Sequence, residues 1–202
     1  MSTSSSSDDS TNNTNTTAKQ ALRSALRARR RGIPTVAQDN AATALLDAVI
    51  ELPQWAGASR IALYTAFDGE IDPAHVARSA LASGKTICLP VVGPDATLQF
   101  RDWDGQESLE KNRYGIDQPS QGAPTVMGHI DIIFLPLVAF DLRGNRLGMG
   151  KGYYDRVLAQ ASGVTKVGLA HTCQQVEQLI PDSWDVPLDY IATDTALHRI
   201  HG

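Results

Sequence analysis

The sequence predicts an α/β fold: one domain built on a largely parallel sheet with helices on both faces. Two observations predict it. Strand-like apolar runs alternate along the chain with segments of helical period, the pattern of strands joined by helical crossovers. The main strand runs, TICLPVV at 86–92 and DIIFLPLVAF at 131–140, are apolar at nearly every position, as strands covered on both faces must be. A length of 202 residues, with 42% hydrophobic and 20% charged content, suits a single soluble domain with a proper core.

Residues 1–17 carry Ser, Thr, Asn and Asp and no apolar side chain after Met1, so they cannot bury enough surface to offset their ordering entropy. They are expected to be a disordered tail, with the folded domain at 18–202. Residues 18–31 are rich in helix formers, with Leu22, Ala25 and Leu26 on one side. Ala41, Ala44, Leu45, Ala48, Val49 and Leu52 then repeat at helical spacing, and Pro53 closes that helix. RIALYTAF (60–67) reads as a buried strand. Asp72 and Pro73 read as the N-cap and first-turn proline of a helix running to about Ser83. Further strands are expected at 86–92 and 97–103, and the polar stretch 104–129 has no clear period. The strand at 131–140 should be central. It leads into a Gly-rich loop and a helix with Tyr154, Val157, Leu158 and Ala161 on one face. A strand follows at 166–170, Thr172 and Gln175 have capping-box spacing for another helix, and the end can form one or two short strands.

The net charge of −4 provides no global basic field for nucleic acid. Cys88 lies in an apolar run and Cys173 at a helix-like start, with no CxxC spacing for zinc or for a disulfide framework. His75, His129, His171, His198 and His201 show no metal spacing and read as surface or core residues. No Ser occupies a GxSxG elbow. The chain contains no apolar run long enough for a bilayer and no signal peptide at its start. The expectation is a cytoplasmic enzyme, monomeric, binding neither membrane nor nucleic acid.

Ligands on open α/β sheets sit beyond the carboxyl ends of the strands, which directs attention to GNRLGMGKGYYDR at 144–156. Its glycines let backbone N–H groups approach an anion closely. The helix start adds positive potential, and Arg146 and Lys151 add full charges. The segment is neither a Walker A loop, since Asn145 stands where the first Gly is needed and Gly152 follows Lys151, nor a GxGxxG fingerprint. The alternatives are a phosphate cradle and a structural Gly-rich turn; strand context and paired basic residues favour the cradle. The six basic side chains between 19 and 31, with no acidic one among them, read by themselves as a solvated face.

FLPLVAFDLRGNRLGMGKGYYDRVL (134–158) resembles the signature segment of the 5-formyltetrahydrofolate cyclo-ligases. Lys19-Gln20-Ala21-Leu22-Arg23 is similar to that family's N-terminal KxxLR, Glu70-Ile71 to its EI element, and the 114–119 run YGIDQP to its mid-chain GIxxP region. The resemblance implies ATP- and Mg²⁺-dependent closure of 5-formyltetrahydrofolate to 5,10-methenyltetrahydrofolate, by phosphorylation of the formyl oxygen and attack of N10. It implies an ATP site of Lys19, Arg23, Arg146, Leu147, Gly148, Met149, Gly150, Lys151, Gly152, Tyr153 and Tyr154, with Arg146, Lys151 and Tyr153 as catalytic groups. It further implies folate contacts from Glu70, Tyr114 and Tyr153, and Mg²⁺ coordination by Asp155 and Asp189. Met149 departs from the Tyr or Arg that relatives often carry. Rival readings are an ATP-dependent enzyme acting on another pteridine or amide, a nucleic-acid binder using helix 19–31, and a folate-sequestering protein without turnover.

Overall fold

In the computed structural model, which describes residues 7–95 and 97–200, the chain forms α1 (Ser7–Arg31), α2 (Thr35–Ile50), β1 (Arg60–Ala62), α3 (Ala74–Ala82), β2 (Thr86–Val92) and β3 (Leu98–Trp103). It continues through β4 (Leu109–Lys111), β5 (Asp117–Pro119), β6 (Pro124–Thr125), β7 (Ile132–Pro136), β8 (Ala139–Phe140) and β9 (Arg146–Leu147). The last elements are α4 (Tyr153–Leu158), β10 (Thr165–Ala170), β11 (Tyr190–Thr193) and β12 (Leu197–Arg199). Eight strands join in one sheet in the order β12-β11-β10-β7-β1-β2-β3-β6. The five central strands, from β11 to β2, run parallel, whereas β12, β3 and β6 are antiparallel additions at the edges.

Period-two alternation decides what each face buries. Ile61, Ile87, Leu89, Ile132, Phe134, Val167 and Leu169 point to one face, where Leu45, Val49, Val76 and Ala80 of α2 and α3 cover them. The residues between them, Ala62, Cys88, Ile133, Leu135 and Ile191, face the other side and pack on Phe140, Leu158 and Leu188, with Tyr154 and Val157 of α4 against them. α1 covers neither face. Its Leu22 and Leu26 pack on Val138, Ala139, Leu147, Val176 and Leu179, so it lies across the carboxyl ends of the strands. The strand order reverses between β1 and β7, and the loops leaving these two strands flank the expected ligand crevice.

Several boundaries differ from expectation. α1 extends back to Ser7, ahead of the expected start at Ala18. Helix elongation costs far less than nucleation, so turns anchored through Leu22 and Leu26 can carry polar residues with them. The part of the expected tail at residues 1–6 lies outside the described residues. The run at 60–67 pairs only through Ala62 before turning at Asp68 and Gly69, both with positive φ. The run at 131–140 divides after Pro136, and β8 pairs instead with β9 in a separate hairpin. Within 104–129, β4 and β5 form a small hairpin and β6 joins the main sheet. Thr172 and Gln175 do not start an α-helix. A 3-10 turn forms at Thr172–Gln174, where the Gln174 side chain accepts from the His171 N–H at 2.9 Å.

Candidate functional site

The Gly-rich loop is built from a buried carboxylate outward. Asp141, fully buried at the end of β8, accepts hydrogen bonds from the backbone N–H groups of Arg143, Asn145 and Leu179 and from the Asn145 amide, at 2.8–3.0 Å. These bonds fix the hairpin and aim residues 146–152 toward α1. Arg23 closes the other side by donating from Nε to the Gly148 carbonyl at 2.9 Å. Gly150 has φ +85, the left-handed region that favours glycine, and a Cβ there would rest in ordinary contact with the Arg23 guanidinium carbon at 3.4 Å. Gly152, with φ +65, caps α4 in the left-handed region.

Two further cations beside the loop have protein partners. Lys19 pairs with Asp182 at 2.7 Å. Arg146, only 5% exposed, pairs with Asp155 and donates to the Val186 carbonyl. Lys151 and Met149 stand exposed at the loop tip. The loop thus gathers Arg23, Arg146 and Lys151 beside Gly148, Gly150 and Gly152, and the 182–186 segment holds Lys19 and Arg146 from one side.

Across the crevice, the turn after β1 carries Glu70. Its carboxylate, 11% exposed, accepts from the Phe67 N–H at 3.1 Å and lies 3.5 Å from Arg30. Burial outweighs Arg30 and pushes its pKa up to about 7. Burial likewise raises the Tyr154 hydroxyl, and the nearby Glu70 charge adds to that rise while Arg146 opposes it. Tyr154 therefore links the Gly-rich loop to Glu70, and it also packs on the core as its helical position implies. Tyr153 points elsewhere. Its hydroxyl bonds the Tyr114 hydroxyl at 2.8 Å and accepts from Arg113 at 3.1 Å, and the two rings meet edge to face at 6.2 Å. The Tyr114 bond lowers the Tyr153 pKa, helped by Arg113 and Arg156.

One expectation needs correction. The basic run on α1 is not a solvated face. Arg30 is fully buried and donates to the Asp68 carboxylate, the Asp68 carbonyl and the Leu137 carbonyl, while Arg27 and Arg31 grip the same carboxylate at 2.7 and 3.4 Å. This grip holds the Glu70 turn against α1 and removes the basic stripe that a nucleic acid would need. The Asp189 carboxylate bonds to β10. Its Oδ2 accepts from the Lys166 backbone N–H at 2.7 Å and meets Lys166 Nζ at 3.0 Å, tying the amino end of β11 to β10. The 182–186 segment brings Asp182 to Lys19, while the Asp185 carboxylate accepts from the Asp182 N–H. Among the described residues no three metal-ligating side chains cluster, but Mg²⁺ needs few carboxylates when phosphates and waters complete its shell. Asp155 fits that donor set. Sequence reasoning missed Arg30, Asp68, Arg113, Asp141 and Asp182; only the DG step at 68–69, a turn signal, marked any of them.

Comparison with known proteins gives a consistent result. Residues 15–194 match the 5-formyltetrahydrofolate cyclo-ligase family. The 5-formyltetrahydrofolate cyclo-ligase of Haemophilus influenzae is 38% identical over 86% of this chain and 96% of its own length. That of Escherichia coli is 35% identical over 83% and 96%. The solved 5,10-methenyltetrahydrofolate synthetase of Aquifex aeolicus superposes with a TM-score of 0.81 at 30% identity, covering 91% of this chain and 93% of that one. The Mycoplasma pneumoniae synthetase gives 0.72 at 26%, covering 87% and 98%.

Proposed function

The chain belongs to the 5-formyltetrahydrofolate cyclo-ligase family, and from that premise we propose that it uses ATP and Mg²⁺ to close 5-formyltetrahydrofolate to 5,10-methenyltetrahydrofolate. The observation that carries the reading is the facing of two unlike half-sites across the β1–β7 crevice: a glycine loop lined by Arg23, Arg146 and Lys151, and the buried carboxylate of Glu70. One suits a polyphosphate, the other an N–H-rich heterocycle such as a pterin.

A formamide oxygen is a weak nucleophile, and N10 cannot expel oxide from the formyl carbon. In the proposed sequence the N5-formyl oxygen attacks the γ-phosphorus, forming a C–O–P bond while ADP leaves. N10 then attacks the activated carbon and gives up its proton. Phosphate departs with the C–O bonding pair, leaving the methenyl cation. The protein's work is positioning and charge neutralisation. Lys19 and Arg146 would exchange Asp182 and Asp155 for phosphate oxygens, and Arg23 and Lys151 would meet the same group. Asp155, released from Arg146, would hold Mg²⁺, with Asp185 as the next carboxylate along the adjoining segment. Mg²⁺ supplies charge that offsets the triphosphate. Glu70 would accept from pterin N–H groups, with Arg30 and Asp68 holding its turn. Tyr153 and Tyr114 would line the remaining folate surface. Leu147, Met149 and Gly152 would contribute to the nucleotide site through their backbone. No helix among the described residues is long and apolar enough to cross a membrane; the proposal takes the enzyme to be cytoplasmic and to act as a monomer.

The test is the absorbance of methenyl product from 5-formyltetrahydrofolate, with ATP and Mg²⁺ present or withheld in turn. Product in the full mixture alone is the expected result. Product without ATP, or none in any mixture, removes the reading.

A further inference from the structure

Trp184 is the most exposed large aromatic of the chain, at 67%, although tryptophan ordinarily finds cover. It sits at the tip of a turn closed in both directions: Asp185 N–H donates to the Asp182 carbonyl at 3.0 Å, and Asp182 N–H to the Asp185 carboxylate at 2.8 Å. The same short segment is fastened to the cradle on either side of Trp184. Two residues before it, Asp182 holds Lys19; two residues after it, the Val186 carbonyl takes Arg146. Two residues of chain span at most about 7 Å, so the Trp184 backbone stands within that reach of the Asp182 and Val186 backbone. A turn closed by its own hydrogen bonds thus carries an exposed indole on the segment that holds two cations of the Gly-rich loop, which leaves less ordering for a ligand to impose.

We propose that Trp184 is the stacking platform for the purine base of the nucleotide whose phosphates occupy the Gly-rich loop. This rests on the nucleotide reading of that loop. A base lies one ribose beyond the α-phosphate, and a flat, uncharged, π-rich group is what an exposed indole covers best. The neighbouring Ile180, 64% exposed, adds apolar surface on the same segment.

Intrinsic fluorescence isolates the contact, because Trp55 is buried and Trp103 half-buried with its indole N–H bound to the Glu107 carbonyl. ATP should quench the emission of the wild-type protein, and Trp184→Phe should lose most of that change while keeping most of its ATP affinity. Trp184→Ala should weaken ATP roughly tenfold, the usual size of one stacked base. Inorganic tripolyphosphate, which has no base, serves as the control: its own dissociation constant should be the same for wild-type and Trp184→Ala protein. Unchanged ATP affinity in Trp184→Ala would overturn the platform and leave the cradle standing. Parallel losses for ATP and tripolyphosphate would overturn it too, by making Trp184 a support for the 182–186 segment. Failure of both compounds to bind the wild-type protein would remove the cradle and the platform together.

Discussion

Replacing Glu70 with Gln should change how stability depends on pH. Glu70 is an acid whose pKa rises from 4.5 to about 7 on folding, because burial disfavours its charged form more than Arg30 favours it. The native state therefore holds a proton that the unfolded chain has released between those two values, and stability falls as pH rises through that window. At 1.36 kcal/mol per pH unit the loss amounts to roughly 3 kcal/mol, complete above the folded-state value. Glu70→Gln removes the ionisation while its amide oxygen can still accept from Phe67, and Arg30 keeps Asp68 and Leu137. Any offset from these changes is independent of pH. Asp68, whose pKa Arg27 and Arg30 lower against the effect of burial, titrates below the window and does not confuse it. Urea unfolding of both proteins at intervals from pH 4.5 to 8.5 gives the difference curve. The variant should gain on the wild type as pH rises, by up to roughly 3 kcal/mol. A flat difference would mean that Glu70 is ionised throughout and that burial does not govern it. In the same variant the affinity for 5-formyltetrahydrofolate should drop while that for ATP holds, measured by calorimetry.

Lys19→Ala and Arg23→Ala should each raise the KM for ATP roughly ten- to a hundredfold, the range for losing one charge-assisted bond, with little change in unfolding; normal ATP kinetics in both would vacate the assigned nucleotide site. Asp155→Asn should lose most of its rate and regain part of it in excess Mg²⁺, whereas Asp189→Asn should keep the wild-type Mg²⁺ dependence and lose only modest stability, since its carboxylate serves Lys166. Rate plotted against Mg²⁺ for the two variants reverses the assignment if Asp189→Asn alone responds. Arg30→Met should cost about 3 kcal/mol, near the low end for breaking a buried pair because Arg27 and Arg31 still hold Asp68. A loss well below 1 kcal/mol in denaturant unfolding would show that the grip on the Glu70 turn contributes little.

The sequence by itself determined which runs form buried strands and where glycines and cations concentrate. Both are local signals. Unbroken apolar runs in TICLPVV and DIIFLP mark strands covered on both faces, and glycines with basic neighbours mark a candidate anion site within the nine positions 144–152. The order of KxxLR, EI and the Gly-rich segment carried the family resemblance for the same reason. Tertiary structure alone decided how the charges are shared. Arg30 and Asp68 lie 38 positions apart, Arg113 and Tyr153 lie 40 apart, and nothing in the periodicity of either segment announces the partner. Composition read α1 as a wet basic face because six like charges in thirteen residues normally are one. Folding lays that helix across the strand ends, where Asp68 and two carbonyls take up Arg30. Asp189 makes the same point: the resemblance implies a place at Mg²⁺, and the pairing of β10 with β11 supplies Lys166 as its partner in this structure. A carboxylate's role follows from the nearest cation in space, and that neighbour is set by how strands and helices pack.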